Sequence, residues 1–365
     1  MELFEIINRN KDKIANLPDT TSFLVYGSVG RLWNYMNTDP KKYGYGHPTP
    51  SSDIDTFVFH ESGLILPYSC EEIEGRIISI ENGPDDLEKM EGLEHRIIDG
   101  WIVFDKTGVL TATKKEMLQK FYSEDELNKR IDTNYKAVCD TLQLCEDALK
   151  VDDYRTLSYS LRDLAESGGK VLFELNKHTP TMRRFLLNLK ELNKEASSNL
   201  LDVIGTKNAD KQWIDDAVEG LEDIQEAVYG IPLLPQFQSD KEIQSPILLE
   251  DYKNGCIELA DEGKMPFAVF PAMMYVSMVT NRRGPAIKTI IENNNKEFSK
   301  FKNSPTFLSD LQDLGELPNS FFQAVDKILG VERFTKQDYK KRVEQASRFV
   351  TSLKGKYHKN GRWTL

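Results

Sequence analysis

The sequence predicts an α+β protein, in which an N-terminal mixed-sheet domain is followed by all-α helical-bundle domains. Two observations support this fold class. Short apolar runs separated by Gly, Pro and Asp recur through the first part of the chain, as is typical of strands. From about Ser123 onward, apolar residues recur at the spacing of amphipathic helices. We therefore place the domains at residues 1–120, 121–235 and 240–365, the last being a helical region of unassigned role.

Composition narrows the functional classes. The 365 residues are enough for two or three domains, and 39% hydrophobic with 29% charged residues is typical of a water-soluble globular protein. The formal net charge of −11 argues against general nucleic-acid binding, since Lys and Arg bind phosphate backbones. The first residues show no basic segment followed by an apolar core, so we expect no secretory leader, and no run of about 18 apolar residues occurs. We expect a cytoplasmic protein that does not enter a membrane; the sequence does not indicate its oligomeric state.

The cysteines and histidines give no sign of a zinc site. No two cysteines form a CxxC pair, and the five histidines are scattered along the chain. The four cysteines are Cys70, Cys139, Cys145 and Cys256. In a cytoplasmic protein these are expected to be reduced, structural thiols.

The N-terminal domain reads as alternating helices and strands. Leu3, Ile6, Ile7 and Ile14 predict an amphipathic first helix over residues 2–16. The other predicted elements are a strand at 23–26, a helix that begins after Arg31, strands at 53–59, 74–80 and 96–104, a helix at 84–93 and a turn at 105–108. Between the helix that begins after Arg31 and the strand 53–59 lies a loop rich in Gly, Pro and Tyr, which includes Tyr43–Pro50.

The remainder of the chain predicts helices almost throughout. Ser123 followed three residues later by Glu126 has the form of a capping box, which marks a helix start. The predicted helices cover about residues 123–149, 152–176, 180–194, 209–228, 246–263, 266–280, 284–296, 305–313, 318–328 and 335–354. The apolar stretch Phe267–Met278 is predicted to be a core helix.

The chemistry is concentrated in two neighbouring segments. Gly27-Ser28 ends the predicted strand 23–26, and Asp53-Ile54-Asp55 opens the next strand. Residues i and i+2 of a strand point to one face, so Asp53 and Asp55 are placed to bind Mg²⁺ together, as one or two ions. Glycine allows close backbone approach, and Ser28 offers a hydroxyl and an N–H to a phosphate. A phosphate cradle facing two carboxylates is what metal-assisted nucleotidyl transfer requires.

A third carboxylate is needed to complete such a site. Glu74 is our candidate because it opens the strand 74–80 and is expected to project toward the same sheet edge. It would help to bind metal and would accept the proton of an acceptor hydroxyl. Glu72, Asp99 and Asp105 are the rival candidates.

These motifs resemble the nucleotidyltransferase superfamily of the polymerase-β type, especially its antibiotic (aminoglycoside) nucleotidyltransferase branch. The family pattern is a strand, Gly-Ser, a short helix, Asp-x-Asp in a second strand and an acidic residue on a later strand. Gly27-Ser28 and Asp53-Ile54-Asp55 match it, Glu74 resembles the third position, and residues 99–110 are similar to a closing hairpin. The helical segment 168–185 resembles the helical domain that follows in these enzymes. The resemblance covers about residues 15–230.

The resemblance implies a Mg²⁺-dependent enzyme, with two metal ions, that transfers NMP from an NTP, most simply ATP, to a hydroxyl of a small molecule such as an aminoglycoside-like antibiotic. Antibiotic resistance would then be its biological role. Gly27 and Ser28 would hold the β- and γ-phosphates. Arg31, Lys170 and Lys177 are further candidates for nucleotide binding. Arg31 has an alternative role as the partner of a local carboxylate, and lysines on helix surfaces are usually solvated.

One departure from the family pattern is the long separation between Gly-Ser and the acidic pair. Most of the excess is the Tyr43–Pro50 loop, which we interpret as a lid or acceptor-binding insertion. Two alternative functions remain open. One is a toxin-like transfer of a nucleotide to tRNA or protein; the other is a catalytically silent nucleotide-binding module, against which the intact acidic pair argues.

Overall fold

The computed structural model describes residues 2–16, 19–37, 54–61, 69–73, 76–83, 94–179, 184–236, 246–280 and 284–356. The chain divides into two compact units. Unit 1 comprises Met1–Arg130 together with Glu174–Thr181, and unit 2 comprises Ile131–Phe173 together with Met182–Leu365. The separation of residues 121–235 from 240–365 stays a prediction.

Unit 1 is built on a five-stranded mixed sheet. Its strands are β1 (Thr20–Val25), β2 (Ile54–His60), β3 (Ser69–Ile73), β4 (Arg76–Asn82) and β5 (Trp101–Asp105). Their order across the sheet is β3-β4-β2-β1-β5. Only β2 and β4 run parallel to one another; the other neighbouring pairs are antiparallel. The mixed sheet followed by helices confirms the predicted α+β class.

Two clusters of buried apolar residues cover the two faces of the sheet. Alternate residues of β2 contribute to one cluster or to the other. Ile54 and Val58 belong to the cluster that contains Ile6 and Ile7 of the first helix. Phe57 belongs, with Phe59, to the other cluster. Because successive side chains of a strand point to opposite faces, Asp55 shares a face with Phe57 and lies opposite the first helix.

Among the described residues of unit 1, the sheet is accompanied by the helices α1 (Glu2–Ala15), α2 (Gly27–Asn37), α3 (Glu94–Ile98) and α4 (Val109–Phe121). Three predictions here were wrong. Helix α2 begins at Gly27 and not after Arg31. Residues 96–98 are helical and not extended. As part of a helix, the adjacent side chains of Ile97 and Ile98 are both fully buried. Residues 99–110 form β5 and lead into α4, so they are not a hairpin. The predicted helix 84–93 and the Tyr43–Pro50 loop lie outside the described residues.

The predicted turn 105–108 is present and has a clear cause. Asp105 accepts hydrogen bonds from the backbone N–H groups of Gly108 at 3.0 Å and Thr111 at 2.8 Å. Gly108 has a φ of 75°, a conformation that favours glycine. The carboxylate therefore closes the turn and satisfies N–H groups at the start of α4, which have no partner within a helix.

From residue 121 onward the regular elements of the described residues are helices, as predicted. The helices are α5 (Glu124–Lys150), α6 (Tyr154–Leu175), α7 (Phe185–Leu192), α8 (Lys194–Ile204), α9 (Lys211–Tyr229), α10 (Pro246–Asp261), α11 (Met265–Ala268), α12 (Phe270–Thr280), α13 (Pro285–Asn293), α14 (Phe298–Lys302), α15 (Phe307–Asp313), α16 (Asn319–Leu329) and α17 (Lys336–Lys354). Helices α8 and α14 were not predicted. The core prediction for 267–278 is confirmed, since Phe267, Phe270 and Met274 are buried, although the stretch is divided between α11 and α12.

Among the described residues, no helix has both the length and the apolar character that crossing a bilayer would need. Cys139, Cys145 and Cys256 are free thiols. Burial raises the pKa of the Cys145 thiol, and it raises the pKa of Cys256 to about 12. A thiol with a raised pKa is a poor nucleophile, so these two cysteines suit the structural role predicted for them.

Candidate functional site

The candidate site forms where β1 ends and α2 begins. The backbone N–H of Tyr26 donates to the carbonyl oxygen of Asp55 at 2.9 Å, which holds the two motif segments side by side. Gly27 follows with a φ of 65°, in the left-handed region that favours glycine. The N–H of Gly30 then donates to the carbonyl oxygen of Tyr26 at 3.2 Å. The chain thus turns sharply from strand to helix at Gly27.

The carboxylate of Asp55 lies directly over this turn. A Cβ added to Gly27 would lie 2.3 Å from Asp55 Oδ2, which is far too close for a real contact. Only glycine leaves room for the carboxylate at this place. The first N–H groups of a helix carry partial positive charge, so the Asp55 carboxylate lies at the end of α2 that stabilises an anion. The two motif segments therefore meet at a backbone position without a side chain.

The other two carboxylates predicted to bind metal are Asp53 and Glu74. Both lie outside the described residues, so their roles as metal ligands, and that of Glu74 as base, stay predictions. Within the described ranges, no group of three or more His, Cys, Asp or Glu residues is arranged to hold a metal ion.

Ser28 is half-buried in the first turn of α2, next to Gly27. Glu72, a rival for the third carboxylate, lies in β3 opposite Ile77 of β4. The role of Ser28 as a phosphate ligand stays a prediction.

Arg31 takes part in a buried ion pair. Its Nε lies 3.4 Å from Oδ2 of Asp99, and the two residues are 9% and 4% exposed. Burial raises the pKa of Asp99, although Arg31, Thr179 and Lys114 act in the opposite direction. The guanidinium of Arg31 is thus held by a local carboxylate, which was the alternative to phosphate binding. The same pairing gives Asp99 a structural partner.

The Arg31–Asp99 pair belongs to a larger polar cluster at the start of β5. Asn34 of α2 donates its side-chain amide to the carbonyl oxygens of Asp99 and Gly100. Lys114 of α4 donates to the carbonyl oxygen of Gly100. Burial lowers the pKa of Lys114 to about 8, against the attraction of Asp99. These contacts tie α2 and α4 to the segment before β5, and so they fix the helix on which Gly27 lies.

Asp105, the remaining rival, lies at the other end of the sheet. It pairs with Ser22 near the beginning of β1, whereas Val25 at the end of β1 pairs with Thr56, the neighbour of Asp55. Partial burial opposes its charge, but hydrogen bonds from Thr111, Ser22 and Gly108 outweigh that effect and lower the pKa of Asp105. Asp105 is therefore a turn-forming carboxylate far from Asp55.

The two candidate lysines lie in different units. Lys170 belongs to unit 2, where its Nζ lies 2.5 Å from Glu166 Oε1. Lys177 belongs to unit 1, is exposed and has a φ of 55° just beyond the end of α6. The ammonium of Lys170 thus has a carboxylate partner on its own helix. Nucleotide binding by either lysine stays a prediction.

One cation of this sheet face was not among the predicted residues. Arg96 of α3 places its guanidinium 4.9 Å from the centre of the Tyr26 ring and 5.7 Å from that of Phe57. Arg96 Nη1 also donates to the Tyr26 hydroxyl at 3.3 Å. Nothing in the sequence pattern connects Arg96 with Tyr26, because the two residues are far apart in the chain and meet only after the sheet has formed.

Comparison with known proteins does not place the chain in a family. No family model matches it, and none of the curated proteins matches it. A search of solved structures finds a nucleotidyltransferase-like protein from Exiguobacterium sibiricum, with 11% sequence identity and a TM-score of 0.33. That match covers 87% of this chain and 90% of the other. At so low a TM-score the likeness carries no weight for fold or function.

Proposed function

We propose that the protein is a Mg²⁺-dependent nucleotidyltransferase that moves NMP, most simply AMP, from an NTP to a hydroxyl of a small molecule. The observation that carries this proposal is the position of the Asp55 carboxylate over the Gly27 α-carbon at the N-terminus of α2. It brings a carboxylate and a phosphate-type backbone turn together, as the motif requires. The same arrangement serves a purely structural role if Asp55 only caps α2.

The carboxylate of Asp55 is a ligand of the type that a magnesium ion prefers. Mg²⁺ prefers carboxylate oxygens and is usually held by one or two carboxylates together with substrate phosphates. Asp55, with Asp53 and Glu74, would hold it, and the ion would neutralise charge on the phosphates. The bare backbone at Gly27 makes room for the Asp55 carboxylate itself, since a side chain there would collide with Asp55 Oδ2.

The reaction assigns separate tasks to the residues of this chain. The oxygen of the acceptor hydroxyl forms a bond to the α-phosphorus, and the bond from that phosphorus to the oxygen bridging to the β-phosphorus breaks. Pyrophosphate leaves with the electron pair of the broken bond, and the hydroxyl proton passes to Glu74. Gly27 and Ser28 orient the β- and γ-phosphates through the N–H groups at the start of α2.

For the acceptor molecule we propose a chemical class and not a single compound. A cationic, hydroxyl-rich small molecule of the aminoglycoside kind suits a chain with a net charge of −11. Transfer to tRNA or to a protein is the competing possibility and is decided by the same assay. We also propose that the enzyme acts in the cytoplasm.

Label transfer tests the proposal directly. Wild type, Asp55→Asn and the control Glu5→Gln are incubated with Mg²⁺, each α-³²P-labelled NTP and a panel of aminoglycosides, tRNA and protein. Glu5 is an exposed carboxylate of α1, on the other side of the sheet from Asp55. Asparagine has nearly the size and shape of aspartate and keeps an oxygen acceptor, so D55N is expected to keep the fold while it removes the charge.

We expect wild type and E5Q to transfer label at the same rate, and D55N to be slower by about 100-fold or more. If D55N matched E5Q while the wild type was active, Asp55 would be a helix cap and the metal-site assignment would be wrong. If wild type neither transferred label nor bound any NTP, the enzyme proposal itself would fail.

A further inference from the structure

A short segment that begins at the end of α6 belongs to unit 1, although the residues on both sides of it in the chain belong to unit 2. Its first residue, Glu174, is held by Arg130, whose Nε and Nη2 donate to the two carboxylate oxygens at 3.0 Å and 2.8 Å. Nη1 of Arg130 donates to the carbonyl oxygen of Phe121 at 2.8 Å, and the guanidinium lies 3.6 Å from the centre of the Phe121 ring. A bidentate pair fixes orientation as well as position. The segment is thus attached to the end of α4.

The other end of the described segment is attached at Asp99. Thr179 hydrogen-bonds the Asp99 carboxylate, which is buried and faces Arg31 at 3.4 Å. Between the two attachments Lys177 has a φ of 55°, a left-handed conformation that is unfavourable for a residue with a side chain and persists only where the surroundings fix it. The segment 174–179 is therefore held at both ends, and its second attachment is the carboxylate that pairs with α2.

The backbone beside Asp99 is in direct contact with α2. A Cβ added to Gly30 would lie 2.4 Å from the carbonyl oxygen of Val25 and 3.3 Å from the α-carbon of Gly100, the residue after Asp99. Asn34, one turn further along α2, donates its amide to the carbonyl oxygens of Asp99 and Gly100. Backbone meets backbone at this point, and a close-packed interior leaves little room for adjustment. A shift at Asp99 would therefore move α2.

Helix α2 in turn carries the candidate phosphate-binding turn. Its first residue is Gly27, and the N–H of Gly30 donates to the carbonyl oxygen of Tyr26 at 3.2 Å. The N–H of Tyr26 donates to the carbonyl oxygen of Asp55 at 2.9 Å, and the Asp55 carboxylate lies over Gly27. A continuous series of contacts thus leads from Asp99 through the first turns of α2 to Asp55.

We propose that Asp99 is a positioning residue of the nucleotide site. It holds α2, and with it the turn at Gly27, in the place relative to the Asp55 carboxylate that the transfer reaction needs, and Thr179 holds Asp99. In this role Asp99 acts through α2 and does not touch the nucleotide. The inference rests on the proposed function, because it names what supports the same site.

Label transfer by the full chain, at saturating labelled NTP and acceptor, tests this role. The variants are Asp99→Asn and Thr179→Val, each of which removes one interaction with little change of volume. The matched controls are Asp105→Asn and Thr111→Val, since Thr111 hydrogen-bonds the Asp105 carboxylate in the same unit, at the other end of the sheet. Urea unfolding gives the folded fraction. Titration with non-reactive α,β-methylene NTP analogues and Mg²⁺ gives Kd.

We expect D99N to lower kcat by about 10- to 100-fold, because a misplacement on the order of 1 Å in an active site has an effect of this size. T179V removes one hydrogen bond to the carboxylate and should lower kcat by about 3- to 10-fold. The Kd of the analogue should change less than kcat, since alignment of the turn with Asp55 matters most in the transition state. D105N and T111V should keep the wild-type kcat per folded molecule, even where they lower stability.

Equal kcat values of D99N and D105N per folded molecule would overturn the role of Asp99 and leave the proposed function intact. A raised Kd with an unchanged kcat would overturn it too, because Asp99 would then affect binding and not alignment. If D99N did not fold, a kcat of T179V equal to that of T111V would be the refuting result. If the wild type transferred no label, this inference would fall, and the proposed function would fall with it if no analogue bound either.

Discussion

Replacing Gly27 by alanine should damage the site more than the fold. The new Cβ would lie 2.3 Å from Asp55 Oδ2, whereas ordinary contact begins at 3.4 Å, so the carboxylate must retreat by about 1 Å. A displacement of that size at a reacting group can cost about 100-fold in rate. Alanine at a φ of 65° also costs roughly 1–2 kcal/mol of stability.

Gly108→Ala is the matched control for this backbone cost. Gly108 lies in the same unit with a φ of 75°, and a Cβ added there would meet no atom within 4 Å. Urea unfolding should show a loss of roughly 1–2 kcal/mol in both variants. Label transfer and NTP-analogue binding should fall only in G27A, by about 100-fold in rate. Activity of G27A within about twofold of G108A would refute the reasoning that Asp55 works from its place above Gly27.

Two pH-dependent predictions concern buried charges. Burial opposes the charge of Glu166, but Arg162 and Lys170 outweigh it and lower its pKa to about 2. Glu166→Gln should therefore lower the free energy of unfolding by about 3 kcal/mol at pH 7, as measured by urea unfolding. The difference from wild type should shrink as the pH falls from 4.5 to 2. A difference that does not depend on pH would contradict this. Burial lowers the pKa of Lys114 to about 8, whereas the unfolded chain keeps this lysine protonated to about 10.5. Unfolding then takes up a proton between these values, so wild type should gain stability relative to Lys114→Met as pH rises from 8 to 10.5; a flat or falling difference in urea unfolding would contradict this.

Local patterns predicted most of the secondary structure. Helical periodicity placed the long helices of the C-terminal part within a few residues, for example 335–354 for Lys336–Lys354. Thr335 caps that helix through a capping box, which is a purely local signal. One failure came where a short apolar run suits either a strand or a helix. Ile97 and Ile98 fit both patterns, and packing against the sheet decided for a helix.

The candidate site was also predicted only in part, because some of its contacts join residues that are distant in the chain. Gly27 and Asp55 belong to a motif that can be read along the chain, and the structure brings them into contact. The sequence does not show which carboxylate pairs with Arg31. A charged side chain shows its sign in the sequence, but its partner is set by which elements pack together.

The sequence by itself determined the α+β class, most of the long C-terminal helices and the residue types suited to binding phosphate and metal, because these depend on composition and on spacing over a few residues. The tertiary structure alone decided how the charges are distributed. It pairs Arg31 with Asp99 and brings Arg96 over the Tyr26 ring. Both outcomes depend on sheet register and helix packing, which join residues distant in the chain and so leave no local pattern.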